Sequence, residues 1–357
     1  MSLPTVAPRP QPGPLAPGPR GAPVLDGPDL PSSVDTPRRI RANPGTADRI
    51  FHGGARLIGA SVLVITGSIG VFLAVQAYPT LKHYGFGFFT QSQWSPDRGI
   101  VGIASVLLGT LTIALVALMI AFPLALMSAL YISEYAPARI KPVLVSMVDL
   151  MAAVPSIVYG LWGYFLIQPE AAKTAYWLHQ NFGWLPFFHA VGGTHEPIWT
   201  GKNYSSSAFI AGIAVSMMVL PMGCAVMREV FAKAPIGERE AAYALGATRW
   251  GMVRAVVLPF GRGGIIGGMM LALGRALGET IAVVLIISPD FSLKFRPLEN
   301  GTISVSSLIA GRFGDSSPAQ LSALLTAGFV LFLITLVVNT FAATIVNRSR
   351  SGAGTDA

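Results

Sequence analysis

Six stretches of the chain are long and apolar enough to cross a bilayer as helices. They lie near residues 57–77, 101–132, 142–167, 207–227, 262–288 and 320–346. A spanning helix needs about 20 apolar residues, and the second and third stretches exceed that length, so they have room to tilt. Pro155 interrupts the third stretch, and the carbonyl that it leaves without a backbone donor needs a neighbour. The pattern predicts an all-α polytopic membrane protein with six transmembrane helices.

The composition agrees with this prediction. Of 357 residues, 52% are hydrophobic and 12% are charged, whereas soluble domains average about 25% charged residues. The single cysteine, Cys224, excludes an internal disulfide and is expected to be a small buried apolar residue.

The two ends of the chain differ from the apolar body. Residues 1–54 are rich in proline and glycine and lack a signal-peptide pattern, so we expect a disordered tail. The first span and an outer loop follow at 55–100, the main membrane domain at 101–346, and a second tail at 347–357.

The basic residues predict the orientation. Residues 1–56, 133–141, 228–262 and the last tail together carry 17 Lys and Arg, against 7 in the opposite loops. The positive-inside rule therefore places both termini in the cytoplasm. The net charge of +8 is explained by this distribution and indicates no nucleic-acid partner.

The loop 228–262 has an amphipathic pattern. Its apolar residues recur at helical spacing, at Ala241, Ala244, Leu245, Trp250 and Val253. Gly246 breaks this run, and Pro259 is expected to end the loop where the next span begins. We predict two short helices joined at the glycine, with one face available for a partner.

Within this loop, a spaced motif carries a family resemblance. Glu240, Ala241 and Ala242, then Gly246, Val256, Leu258 and Pro259, resemble the EAA loop of ABC importer permeases at every spacing. The resemblance implies the type I importer (MetI-like) fold, with 101–346 as the permease domain. It also implies that Glu240, Ala241, Ala242, Gly246, Leu258 and Pro259 couple the chain to an ATPase subunit.

No catalytic machinery is expected in the chain. It has no G-x-x-x-x-G-K-[ST] phosphate cradle and no cluster with metal-ligand spacing. We expect a protein that is not an enzyme and needs no metal or cofactor, with ATP hydrolysed by separate subunits.

Two further segments narrow the resemblance. Residues 274–283 (GRALGETIAV) and 151–160 (MAAVPSIVYG) are similar to segments of PstC-type phosphate-importer permeases. The resemblance implies import of inorganic phosphate across the plasma membrane. The implied partners are a PstB-like ATPase dimer, a PstA-like second permease and a PstS-like extracytoplasmic binding protein, with membrane lipid around the spans.

Arg275 and Glu279 are unusual in an apolar segment, because ionised groups in a membrane are costly and usually functional. At i and i+4 on one helix they should be neighbours, beside a glycine stripe that admits another helix, and should face the bundle interior. They form either a structural ion pair or a phosphate site, in which Arg275 binds oxygens and Glu279 accepts the proton that phosphate retains. Thr280 joins this candidate pathway.

Ser156 and Tyr159 follow the Pro155 break, where they either line the pathway or cap and pack the helix. Asp149, in the same stretch, either partners Arg275 or lies at the interface.

Other functions fit parts of the pattern. The same architecture could import sulfate, molybdate or a polar organic solute, and a secondary transporter is a further alternative from another class. Secondary transporters often contain inverted repeats and discontinuous helices, but no internal repeat is evident here, and an EAA loop has no purpose without an ATPase. A signalling role for the complex is left open.

Overall fold

The computed structural model describes residues 45–190 and 204–350. The helices are α1 (Thr46–Tyr84), α2 (Gly87–Thr90), α3 (Ala104–Leu130), α4 (Lys141–Ala153), α5 (Ser156–Trp162), α6 (Gln168–Phe182), α7 (Ala208–Ala232), α8 (Ile236–Ala244), α9 (Arg249–Met252), α10 (Leu258–Gly278), α11 (Ile281–Ile286), α12 (Val305–Arg312) and α13 (Pro318–Arg350). A small antiparallel hairpin pairs β1 (Trp94–Ser95) with β2 (Ile100–Val101).

The helical membrane architecture predicted from the sequence is confirmed. Within the described residues, five helices are long and apolar enough to span a membrane: Thr46–Tyr84, Ala104–Tyr135, Ala208–Ala232, Arg249–Gly278 and Pro318–Val346. The bent pair Lys141–Ala153 and Ser156–Phe182 makes a sixth span if it is counted as one. Its two halves meet at an angle of 91°, so the third predicted span is broken rather than gently kinked.

The chain ends differ in part from the prediction. Helix α1 begins at Thr46, so the last residues of the predicted tail are helical, while residues 1–44 and 351–357 lie outside the described part.

The C-terminal end of α1 is hydrogen-bonded to α13. The Thr80 hydroxyl lies 2.8 Å from the Ser322 hydroxyl. Ser322 also donates to the Gln76 carbonyl at 2.9 Å, which fixes the end of α1 against α13.

Close packing between spans depends on glycines at the contacts. A Cβ on Gly264 would lie 2.5 Å from the Val230 side chain, where α10 crosses α7. A Cβ on Gly274 would lie 3.4 Å from Asn339 in α13. Gly264 therefore admits α7 at a distance that a side chain would block, whereas Gly274, a member of the predicted glycine stripe, meets α13 at ordinary contact distance.

Helix α10 continues a longer helix than the sequence indicates. The span runs from Arg249 to Gly278 through a π-helical turn at Val253–Val257. Pro259 was expected to separate the loop from the span, and this expectation is wrong. The wider turn just before the proline absorbs its missing N–H, as π-bulges commonly do.

Candidate functional site

Two broken helices meet inside the subunit. α4 and α5 are separated at Val154–Pro155, and α10 and α11 are separated at Glu279–Thr280. α5 packs on α11 so closely that a Cβ on Gly160 would lie 2.8 Å from the Cα of Ala282. The structure thus brings together the two segments that the sequence singles out, 151–160 and 274–283.

Tyr159 closes the break at Pro155. Because Pro155 has no N–H, the Met151 carbonyl lacks its helical donor. The Tyr159 hydroxyl donates to that carbonyl at 2.7 Å, and the side chain is buried. Of the two roles left open for Tyr159, the structure supports helix capping. Ser156, half-buried, is the first residue of α5.

We expect Tyr159→Phe to destabilise the subunit while leaving its transport site chemically intact. The substitution removes the shorter of two hydrogen bonds to the Met151 carbonyl, which then accepts only from the Val154 N–H at 3.3 Å, and one lost hydrogen bond costs about 0.5–1.5 kcal/mol. Thermal unfolding of the purified complex should therefore shift to lower temperature, with transport per folded complex nearly unchanged. A large loss of transport without a change in stability would assign Tyr159 to the pathway instead.

Glu279 lies beyond the end of its helix. α10 ends at Gly278, and Glu279 has an extended backbone with φ −65° and ψ 128°. Its side chain is buried, and Oε1 accepts a hydrogen bond from the Ala282 N–H at 3.3 Å. Its carbonyl accepts from the Ser306 hydroxyl at 3.1 Å. Glu279 therefore caps α11 and links it to α12.

The predicted pairing of Arg275 with Glu279 on one continuous helix is wrong. The helix ends between the two residues, so the i, i+4 geometry does not form. Among the described residues, no ion pair joins them, and Arg275 has no hydrogen-bond partner. Glu279 faces the interior as expected, whereas Arg275 lies on the surface of the subunit.

The surroundings of Arg275 nevertheless belong to the same site. Arg275 lies in the last turn of α10, directly before the break at Glu279–Thr280. Thr280 is half-buried and donates to the Gly278 carbonyl at 3.2 Å. Asp149 does not partner Arg275, because it lies 3.5 Å from Arg228 in α7. The site thus has one unpaired cation beside two helix breaks.

The predicted coupling loop forms a short helix and a turn. α8 contains Glu240, Ala241 and Ala242, and Gly246 follows with φ +82°, a backbone that favours glycine. Leu258 and Pro259 lie in the following span rather than in this loop. The exposed face carries large apolar side chains, at Ile236, Tyr243, Leu245 and Trp250. Leu245 is 90% exposed, so this face is available to a partner.

The opposite side of α8 is fixed to the end of α3. Arg239 Nη1 lies 3.0 Å from Glu134 Oε2, and Nη2 donates to the Phe231 carbonyl at 2.6 Å. The Glu134 side chain is only 4% exposed. Arg249 lies over the Tyr135 ring at 5.6 Å. The sequence alone does not reveal these contacts; its only hint of them is an acidic residue, Glu134, at the end of one span and a basic loop elsewhere in the chain.

No metal centre is found in the described part of the chain. No group of three or more His, Cys, Asp or Glu side chains there is placed to hold a metal ion. Cys224 is free and buried, as the sequence predicts. His195 and Trp199, which the sequence places in an outer loop, lie outside the described residues.

Comparison with known proteins shows the family. Residues 121–351 match the family described as "Binding-protein-dependent transport system inner membrane component". The "Phosphate transport system permease protein PstC 2" of Mycobacterium tuberculosis is 38% identical over 315 residues, covering 85% of this chain and 93% of the relative. The PstC protein of Pasteurella multocida is 33% identical over 311 residues, covering 86% and 94%.

Solved structures agree on the fold. A bacterial alginate ABC transporter, in complex with an alginate pentasaccharide-bound periplasmic protein, has a chain that matches with a TM-score of 0.55 and 16% identity. The match covers 85% of this chain and 95% of that one. The chain therefore belongs to the family of binding-protein-dependent transport system inner membrane components, where it groups with the PstC-type permeases.

Proposed function

We propose that the chain is a membrane subunit of an ATP-driven importer of inorganic phosphate and forms one half of its translocation pathway. The observation that carries this proposal is Arg275, an unpaired guanidinium on the surface of a membrane helix beside two helix breaks. The phosphate transport permeases that are 33–38% identical to the chain support phosphate as the cargo.

Arg275 needs a polar environment outside this subunit. An ionised arginine facing lipid costs several kcal/mol or more, and such residues usually face a polar cavity. The surface that carries Arg275 therefore faces a second permease subunit and the water-filled path between the two halves. Its planar, permanently charged fork matches two oxygens of a phosphate ion.

Glu279 gives the site a second chemical feature. Phosphate near neutral pH retains a proton that it donates to a carboxylate, whereas sulfate has none. Ser156 and Thr280 add hydroxyl groups at the two helix breaks. Arginine binds any oxyanion, so the preference for phosphate rests on Glu279.

Glu279→Gln separates this role from helix capping. The amide oxygen of glutamine still accepts from the Ala282 N–H, so α11 keeps its cap and the complex should unfold at nearly the same temperature. We expect phosphate uptake to fall and sulfate to compete more effectively. Uptake with unchanged selectivity in an assembled complex would show that Glu279 is only structural.

Energy reaches the pathway through α8. Its exposed apolar face docks on an ATPase subunit, and ATP-driven closure of the ATPase dimer moves α8 and the spans attached to it. Both termini lie in the cytoplasm, on the same side as α8. A binding protein delivers phosphate to the loops at the opposite ends of the spans.

The reconstituted complex tests the proposal. The chain, a second permease subunit and the ATPase are placed in liposomes, and ATP hydrolysis is measured with the phosphate-loaded binding protein. We expect phosphate to stimulate hydrolysis, and substitutions from Glu240 to Gly246 to abolish the stimulation. If sulfate stimulated hydrolysis and phosphate did not, the proposed cargo would be wrong. If uptake did not depend on ATP, the proposal of an ATP-driven importer would be wrong.

A further inference from the structure

We propose that a cavity at the end of α3 opposite to α8 is a second binding site for a tetrahedral oxyanion, held between Arg98 and Arg312. The cavity has a volume of about 390 Å³, and Trp94, Ser95 and Gln320 also line it. The identification of the anion as phosphate rests on the proposed function, whereas the positive charge of the site is independent of it.

The two ends of α3 are far apart. β2 ends at Val101, just before α3, whereas Glu134 follows the last α-helical residue, Leu130. A helix of 27 residues is about 40 Å long. The cavity is therefore remote from the coupling contacts and lies on the side where the binding protein is proposed to deliver its cargo.

Arg98 is held by a rigid hairpin. It ends a 3-10 turn at Pro96–Arg98, and Gly99 closes the turn with φ +69°. Trp94 is buried and pairs with Val101 across the two strands. The Gly102 N–H donates to the Gln93 carbonyl at 3.0 Å. The backbone that carries Arg98 is therefore fixed before any ligand binds.

Arg312 is linked to the first site through α12. It is the last residue of this helix, whose start is fixed by a capping box between Ser304 and Ser307. In the first turn of α12, Ser306 donates to the Glu279 carbonyl. Arg312 follows Ser306 by six positions, a distance of about 9 Å along the helix axis. The cavity thus lies one short helix away from the α10–α11 break.

The two arginines differ from Lys294 and Arg296, which lie on the same side of the chain. Lys294 binds Asp290 and also donates to the Asn300 carbonyl, and Arg296 lies 3.2 Å from Glu299. Burial opposes ionisation of Asp290, but hydrogen bonds from Lys294 and Ser292 lower the pKa of its carboxyl below the usual value. The Asp290–Lys294 pair therefore stays charged and satisfied.

Arg98 and Arg312, by contrast, have no ion-pair partner among the described residues. Two unpaired cations that line one cavity repel each other, and an anion between them turns the repulsion into attraction. Two guanidinium forks match the oxygens of a tetrahedral anion.

The test measures binding directly. The permease pair with its ATPase is placed in lipid nanodiscs without the binding protein, and equilibrium binding of ³²P-labelled inorganic phosphate is measured. We expect Arg98→Ala and Arg312→Ala each to weaken one class of sites on the order of 10-fold, and the double variant to eliminate that class. Arg296→Ala, on the same side but already paired with Glu299, is the matched control and should bind like wild type. If the alanine substitutions prevent assembly, Arg98→Lys combined with Arg312→Lys keeps both charges but loses the planar guanidinium groups. This variant should bind phosphate several-fold more weakly than wild type.

Three results separate the two proposals. Unchanged phosphate binding in the double variant overturns the cavity site. So does a variant that binds phosphate normally but no longer docks the binding protein, because the arginines would then be a docking contact. A complex that does not import phosphate, yet loses oxyanion binding when both arginines are replaced, rejects phosphate import and keeps the site.

Discussion

Replacing Arg275 by alanine should reduce phosphate uptake by about 100-fold or more, while the subunit remains as stable as wild type. Each hydrogen bond to a charged group contributes about 1.5–3 kcal/mol, so the loss of a two-pronged contact removes at least about 3 kcal/mol. This energy corresponds to a factor of about 100 or more. Stability should not change, because Arg275 makes no hydrogen bond or ion pair with the described residues of the chain.

Two further variants sharpen this result. Arg275→Lys keeps the charge but loses the planar fork, so we expect uptake between that of wild type and alanine. Arg254, exposed in the same long helix but near α8, gives the matched control, and Arg254→Ala should leave uptake largely intact. The measurements are phosphate uptake into proteoliposomes and thermal unfolding of the complex. A strong loss of stability with Arg275→Ala would favour a structural role at the subunit interface.

The sequence predicts the class of fold well because membrane spans leave a direct signal. A long apolar segment must be helical, since no water is present to satisfy its backbone. The EAA spacing likewise predicts α8 and the glycine turn, because Gly246 needs a left-handed backbone that other residues rarely adopt.

The candidate site was harder to predict because it depends on where helices end. Residues 262–288 look like one span, yet the chain leaves the helix after Gly278 and starts another at Ile281. Periodicity does not detect this break, because no proline marks it. The interval from Arg275 to Glu279 therefore suggests a helical pair, whereas the structure gives a capping carboxylate and a free guanidinium.

Pro155 shows the opposite case. Its position predicts a carbonyl in need of a donor, and the structure supplies Tyr159 for this purpose. The sequence does not reveal the angle of the break or the helix that packs against it. Both depend on contacts between residues far apart in the chain, such as Gly160 with Ala282.

Breaking the contact between Glu134 and Arg239 should uncouple ATP hydrolysis from transport. Glu134 is 4% exposed and Arg239 20% exposed, so the loss of one partner leaves the other charge buried and unpaired. Such a loss costs about 3–5 kcal/mol. Even half of this energy changes the ratio between two positions of α8 relative to α3 by more than about 10-fold. We therefore expect Glu134→Gln to lower the number of phosphate ions moved per ATP hydrolysed while the ATPase still binds.

A double-mutant cycle separates the pair from its surroundings. If the unpaired buried charge causes the loss of coupling, Glu134→Gln combined with Arg239→Met should reduce coupling less than either single substitution, because no buried charge remains. The nearby pair Glu229–Lys233 is about 70% exposed at both residues, and Glu229→Gln should have little effect, as for other exposed pairs. Additive losses in the double variant would mean that Glu134 and Arg239 act independently. The motion of α8 would then reach the membrane spans through its chain connections to α7 and α9, since the contact with α3 would carry none of the force.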